Sequence, residues 1–366
     1  MKILYLNNQF YLHGGIEKML SQKINYFIEE YGYEVILCTS EHYNKDFVYP
    51  LNKNTKHIDL GINYNRNNSY FHPKNLIKSI KHFRKLKQLL KIEQPDIVVS
   101  VNFTPEQYFL PFLETHIPKI KEFHSSGATF KNSQNLSGRF KEFLFNLFAK
   151  YDNLVVLNKD EVKYYPFKNV SVIPNFIEVK ENEFEFNRNK TIIAAGRIAP
   201  VKQFDHLIKA WSLIADKFPE WDVKIFGDGD DQLSKNLKDN IVKNKIPRIQ
   251  LMGPTAQLHS EMQKASLYAM TSSTECFPMV LLEAQNAGLP IISYDCPHGP
   301  RNIINPEIDG KLVSNQNIEE FARQLSHLIE NTDIRKKMSQ QAIKNSVKFA
   351  RAPIMKLWNE LINSKL

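Results

Sequence analysis

Cysteine is scarce in this chain: Cys38, Cys276 and Cys296 are the only three among 366 residues. So few, so widely spaced, exclude a disulfide framework and a thiolate zinc site. Long apolar runs are missing too, and none reaches the roughly 18 residues that a bilayer-crossing helix needs. The opening MKILYLNNQF enters a strand pattern directly, without the apolar core and cleavage site of a secretory leader. A cytoplasmic location is therefore expected. No His-x-x-x-His pair occurs, and Asp228 and Asp230 in FGDGDD read as turn residues after a strand, so no metal site is expected. The Gly-x-Gly-x-x-Gly fingerprint of dinucleotide sites is absent, which ranks a nicotinamide dehydrogenase last. Neither an internal repeat nor a low-complexity tract is found.

What is present is a globular composition, 42% hydrophobic and 24% charged, long enough for two cores. The formal charge of +9 favours an acidic partner such as a nucleotide or an anionic surface. Short apolar runs alternate with amphipathic stretches: KILYLN (2–7), EVILCTS (34–40), DIVVSV (96–101), IPKIKEFH (117–124), NLVVLN (153–158) and VSVIPN (170–175). Polar ENEFEFNRN (181–189) is the best linker, after which the alternation restarts with TIIAAG, DVKIFG, IQLMG, LYAMTS and PIISYD. Such alternation predicts α/β architecture, two doubly wound Rossmann-like parallel-sheet domains with a ligand site at the strand C-termini facing a cleft. The expected domains are 1–176 and 190–345.

The chemistry concentrates in residues 271–290, TSSTECFPMVLLEAQNAGLP. Glu275 stands in a loop after a strand. Pro278 suits the first turn of a helix over Met279–Ala287, with Gly288 as its stop. Glu283 lies a little over one turn inside. Between the two carboxylates are the free N–H groups and positive dipole end of a helix, a ready phosphate site. A carboxylate on either side of a phosphate cradle suits a ligand with hydroxyls at both ends, as in a nucleotide sugar. A solvated Glu275 beside an ordinary surface helix is the plainer reading.

Gly196, Arg197 and Lys202 form a second element at a strand-to-helix turn. A bidentate guanidinium and a point-charge ammonium five residues apart can reach one diphosphate, and glycine lets the backbone come close. Two solvated surface cations fit the same spacing. Gly14-Gly15 after the first strand fits either a phosphate approach or a tight turn. His124, ahead of Ser125-Ser126-Gly127, fits a donor to a sugar or phosphate or a structural histidine. Cys276 has no histidine near it in sequence to make it a nucleophile. Residues 74–91 carry seven Lys/Arg and no acid, with Leu76, Ile80, Phe83, Leu86 and Leu90 on one face. The expectation is that this apolar face packs on its own sheet while the basic face is weakly drawn to anionic membrane. Phe140, Phe143, Leu144, Leu147 and Phe148 form another greasy face, suited to a lipid-linked acceptor. Nucleic acid is disfavoured, because aromatics and cations are not interleaved as a stacking platform requires.

Taken together, Gly14-Gly15, His124, VIPNFI, the GR-x4-K element at 196–202, the E-x7-E pair at 275/283 and DGKLV (309–313) resemble the retaining, nucleotide-sugar-dependent glycosyltransferases of family 4, with the GT-B fold. The resemblance spans nearly the whole chain and is similar to surface-polysaccharide-building members. It implies an acceptor-binding first domain, a donor-binding second domain and a final helix within 346–366 that crosses back to the first. Arg197 and Lys202 would then neutralise the departing diphosphate, and Glu283 would take the ribose hydroxyls. Glu275 and His124 would contact the donor sugar, with N–H groups of Phe277, Pro278's neighbours Met279 and Val280, and Gly15 near sugar or phosphate. No cofactor or metal is implied, only a UDP-sugar donor and a glycan or lipid-linked acceptor. Two departures stand out: Cys276 where glycine is common, and Asn302 in CPHGPRNII where an acidic residue often stands. An epimerase or phosphorylase of the same fold and a non-catalytic nucleotide- or glycan-binding protein are the alternatives.

Overall fold

The computed structural model describes residues 1–101, 103–128, 138–179 and 188–366. These form two compact units, Met1–Ile173 with Ile354–Leu366, and Pro174–Pro353. Most of the expected linker, 181–187, lies outside the described residues.

The first unit is built on seven strands: β1 (Lys2–Asn7), β2 (Glu34–Thr39), β3 (Lys56–Asp59), β4 (Ile97–Ser100), β5 (Lys119–Glu122), β6 (Asn153–Val156) and β7 (Val170–Val172). Their order is β3-β2-β1-β4-β5-β6-β7, every neighbour parallel. The second unit holds β8 (Thr191–Ala195), β9 (Asp222–Phe226), β10 (Ile249–Gly253), β11 (Leu267–Met270), β12 (Ile291–Tyr294) and β13 (Gly310–Val313), ordered β10-β9-β8-β11-β12-β13 and again all parallel. Central strands such as β4, β11 and β12 are buried along their whole length, as continuous apolar runs require when helices cover both sheet faces. In each sheet the strand order reverses after its first strand, between β1 and β4 and between β8 and β11. Loops leaving those strand ends diverge there and leave room for a ligand.

Several elements were not foreseen, two of them instructive. Lys56–Asp59 is a half-exposed edge strand too polar to read as one, and Leu258–Lys264 is a seven-residue helix with no side-chain cap to announce it. The final helix, Arg351–Asn363, buries Ile354, Met355, Trp358 and Ile362, and its residues from 354 onward belong to the first unit.

One expectation holds only in part: Leu86 and Leu90 pack inward as expected, and the rest of the basic helix's apolar face does not. The basic helix spans Pro73–Glu93 and buries Asn75, His82, Leu86, Leu89 and Leu90, while Leu76, Ile80 and Phe83 are exposed. Polar anchors set this rotation. Asn75 Nδ2 donates to the carbonyls of Asn65 and Ser69, both at 3.0 Å, and its Oδ1 accepts from Asn65 N at 2.9 Å. His82 Nδ1 lies 3.1 Å from Tyr64 Oη. These bonds satisfy the polar groups that the helix buries, each of which would otherwise cost about 1–3 kcal/mol, and so hold this side inward. In the helix Gly138–Asn146 and the 3-10 turn after it, Leu144 and Phe148 are buried but Phe140 and Phe143 are exposed.

Candidate functional site

At the reversal in the second sheet, the loop after β8 (196–203) and the loop after β11 (271–278) are stitched together. Ser273 N donates to Val201 O at 2.8 Å. The Thr271 hydroxyl lies 3.1 and 2.9 Å from the carbonyls of Lys202 and Gln203. Beneath them the wholly buried Tyr268 donates to Ala195 O at 3.1 Å. Burial, with Glu283 and Glu275 adding to it, pushes that phenol well above its usual range. The loop after β9 supports the β8 loop from its other side: Ile198 N donates to Asp228 O at 2.7 Å, and Asp230 N to Ile198 O at 3.0 Å. A Cβ on Gly227 would overlap Gly196 O, so glycine is needed there for two backbones to touch. The FGDGDD turn is thus a buttress.

Glu275 is held by its main chain. Its N–H donates to Pro297 O at 2.9 Å, and its carbonyl accepts from His298 N and Gly299 N at 2.7 and 3.0 Å. That leaves the carboxylate free to meet Lys202, whose Nζ donates to Glu275 Oε1 at 2.6 Å. The pair is sheltered without being sealed, with side-chain exposures of 19% for Lys202 and 15% for Glu275. Gly196 makes room for the lysine stem: a Cβ there would lie 3.2 Å from Lys202 Cε. Arg197, next along, is exposed and makes no hydrogen bond or ion pair among the described residues.

Pro278, extended at φ −71° and ψ 111°, is the N-cap of the helix Met279–Asn286 rather than its first residue. The N–H groups of Met279 and Val280 therefore have no acceptor within the helix. Glu283 sits half-buried one turn on. The ring of Phe277 is buried, edge-on to Phe349 with centroids 5.6 Å apart. Cys276 is buried. Cys296 is buried as well, and desolvation, helped by Glu275 and opposed by Lys202, pushes its thiol up to about 12. The Asn302 amide turns inward to donate to His298 O at 2.6 Å, bracing the loop that holds Glu275.

Gly196, Lys202, Glu275 and the start of the Met279–Asn286 helix are thus brought together, whereas Gly15 and His124 lie in the first unit. Gly15 opens the helix Gly15–Tyr31, and a Cβ built on it meets nothing within 4 Å. His124 Nε2 is 3.0 Å from Glu122 Oε1. That same oxygen accepts from Lys23 Nζ, which lies 4.0 Å from the centre of the Trp358 ring. Burial alone would raise the Glu122 carboxyl, but Lys23 and His124 outweigh it and hold it at about 2. Burial lowers Lys23 despite the attraction of Glu122. Glu17, in the first turn of that helix, accepts from Gln9 Nε2 at 2.7 Å, and burial raises its pKa.

Sequence reasoning missed Lys23, Glu122, Glu17 and Tyr268. One signal was available: β5 reads KIKE, three charges in a run that must be buried on both faces. Among the described residues, no three His, Cys, Asp or Glu side chains are grouped to hold a metal ion. No helix among them is long and apolar enough to cross a membrane.

Comparison with known proteins bears on the second unit first. Residues 175–345 match the family model of glycosyl transferases group 1. The match falls wholly within the second unit and takes in just under half of the chain. The chain is 32% identical over 237 residues to the amylovoran biosynthesis glycosyltransferase AmsD of Erwinia amylovora, a match covering 62% of this chain and 65% of that one. It is 31% identical over 225 residues to an uncharacterized glycosyltransferase of Haemophilus influenzae, covering 58% and 61%. These matches take in under two thirds of either relative's length. Among solved structures, a variant of S. aureus TarM in complex with fondaparinux, alpha-GlcNAc-glycerol and UDP superposes over 99% of both chains, with a TM-score of 0.78 and 15% identity. At that identity the likeness carries the fold, which is GT-B: two Rossmann-like parallel-sheet domains, the second of them the one that matches the group 1 model.

Proposed function

We propose that the chain is a glycosyltransferase of the retaining family 4 type, moving a hexose or N-acetylhexosamine from a UDP-sugar to a glycan or lipid-linked glycan in surface-polysaccharide synthesis. One observation carries this reading: the sheltered Lys202–Glu275 pair beside the open start of a helix, at the reversal of the domain that matches the group 1 model. In this reading the diphosphate sits between the Met279–Val280 N–H groups, Lys202 and Arg197, and Glu283 takes the ribose hydroxyls. Lys202 is then shared between Glu275 and the β-phosphate, and Glu275 turns its second oxygen to a hydroxyl of the sugar. As the bond from the anomeric carbon to phosphate oxygen breaks, the growing negative charge falls where cations and the helix dipole are already aimed. The leaving oxygen takes the acceptor's proton, and the acceptor attacks from the same face. No metal or cofactor is called for, since those groups carry the leaving charge. The relative AmsD, named for amylovoran biosynthesis, and the UDP held by TarM support the polysaccharide role and the uridine donor.

The test is UDP release from a panel of UDP-sugars with and without acceptor glycans, beside thermal shifts with UDP, GDP, ADP and NAD. A ligand at a hundred times its dissociation constant adds about 2.7 kcal/mol, a shift of a few degrees. Stabilisation by UDP alone, lost in Arg197→Ala/Lys202→Ala, is expected. No release from any nucleotide sugar, or a shift with NAD that the variant keeps, would sink the proposal.

A further inference from the structure

The helix Pro73–Glu93 presents to solvent three of the five side chains its sequence pattern assigns to the core, Leu76, Ile80 and Phe83, with Ile77 beside them. Leu76 is 45% exposed, Ile77 70% and Ile80 55%. Beside its first turn, Phe71 lies edge-on to Phe140 with centroids 5.3 Å apart, and both rings are exposed. At 100° per residue, Leu76, Ile77 and Ile80 share one face with Arg84, Lys87 and Lys91. The N-terminal half of that face is apolar and the C-terminal half cationic. Those three cations, with Lys74 and Lys81 on the flank, are exposed, and their side chains make no hydrogen bond or ion pair among the described residues. The rotation is built in by the Asn75 and His82 anchors described above, so the outward apolar stripe is no accident of loose packing.

We infer that this face docks on an anionic lipid bilayer, with Leu76, Ile77 and Ile80 entering the acyl boundary and the flanking cations meeting lipid phosphates. A bilayer offers that combination in one plane, hydrocarbon just beneath negative charge. A second copy of the chain does not, because two faces from a stretch of seven Lys/Arg and no acid repel. Nor does a nucleic acid, whose phosphates would be met by the cations while the isoleucines stayed in water. An acidic protein would satisfy the charges and is an outcome that the test separates. The inference goes beyond glycosyl transfer and does not depend on it.

The experiment is co-sedimentation of the full chain with phosphatidylcholine vesicles, with and without phosphatidylglycerol, at low and high salt. Binding to the anionic vesicles alone is expected, with part of it surviving high salt because inserted side chains are not screened. Ile77→Asp/Ile80→Asp, both exposed and so without effect on the thermal melt, weakens binding about tenfold or more. A tryptophan at position 77 (Ile77→Trp) reports entry directly, by a blue shift of its emission on anionic vesicles. Absence of binding to anionic vesicles overturns the inference, and so does a double variant that binds as tightly as wild type. Loss of all binding in salt with no blue shift assigns the face to a charged partner in water, such as an acidic protein, and overturns it equally.

Discussion

In both units the strand order reverses at the same place, yet charge is handled there in opposite ways. The first unit carries Lys23 and Glu122 on a helix and a strand, both almost wholly inaccessible, under the Trp358 ring. The second carries Lys202 and Glu275 on loops, close enough to bond and open enough to exchange partners. A charge pair inside a core cannot be re-used, because separating its members strands a charge in low dielectric. A pair at a loop rim can, because water or ligand replaces whichever partner leaves. Electrostatics therefore serve cohesion in one sheet and are left available for chemistry in the other.

That contrast can be broken experimentally, and the largest effect belongs to the sealed pair. Lys23→Met leaves Glu122 buried with only His124 beside it, and should cost about 3–5 kcal/mol of stability. The double variant Lys23→Met/Glu122→Gln should recover a good part of that in denaturant melts. A double variant no better than the single would mean the two charges are not coupled. Next, under the proposed function, Lys202→Ala should raise the barrier to sugar transfer by about 3–4 kcal/mol, seen as a fall in kcat, with the melting temperature nearly unmoved. An equal loss of stability would erase the distinction between the two sites.

Acid sharpens the comparison further. Burial lowers His82 of the first unit to about 4, so between pH 6.5 and 4 the unfolded chain binds a proton that the folded one refuses. Stability then falls as pH falls, by up to about 3 kcal/mol. Glu122, held at about 2, extends the loss through a second window from about pH 4.5 downward. Glu17, with its raised pKa, works in the opposite sense and offsets part of it. Hydrogen exchange followed by mass spectrometry along a pH series should show the first unit opening before the second. The smallest effect is local: Asp230→Ala removes the side chain that accepts from Leu233 N at 2.7 Å at the start of a second-unit helix. It should cost about 1 kcal/mol and leave His82's pH window untouched.

The strands of both sheets were legible because apolar runs such as IVVS and LYAM have nowhere to go but a doubly covered sheet. The loop that carries Glu275 was legible through Pro278, Gly288 and the spacing of the two glutamates. Rotation of the basic helix was not, because Asn75 and His82 look like surface residues until Tyr64 and the carbonyl of Asn65 are placed beside them. Lys23 was hidden for a related reason. A lysine one helix away from the strand that neutralises it carries no local sign of being buried, and its partner lies 99 residues on.

The position of Trp358 bears on how the molecule is made. The roof over Lys23 is part of the last thirteen residues, Ile354–Leu366, which follow the whole of the second unit in the chain. During synthesis, which adds roughly 5–20 residues per second, the second unit has all its strands and helices in hand while the first still waits for its final helix. The unit that begins first is thus completed last. Until residues 354–366 leave the ribosome, Lys23 and Glu122 sit beneath an open roof, and a chain cut short at 350 leaves them so for good.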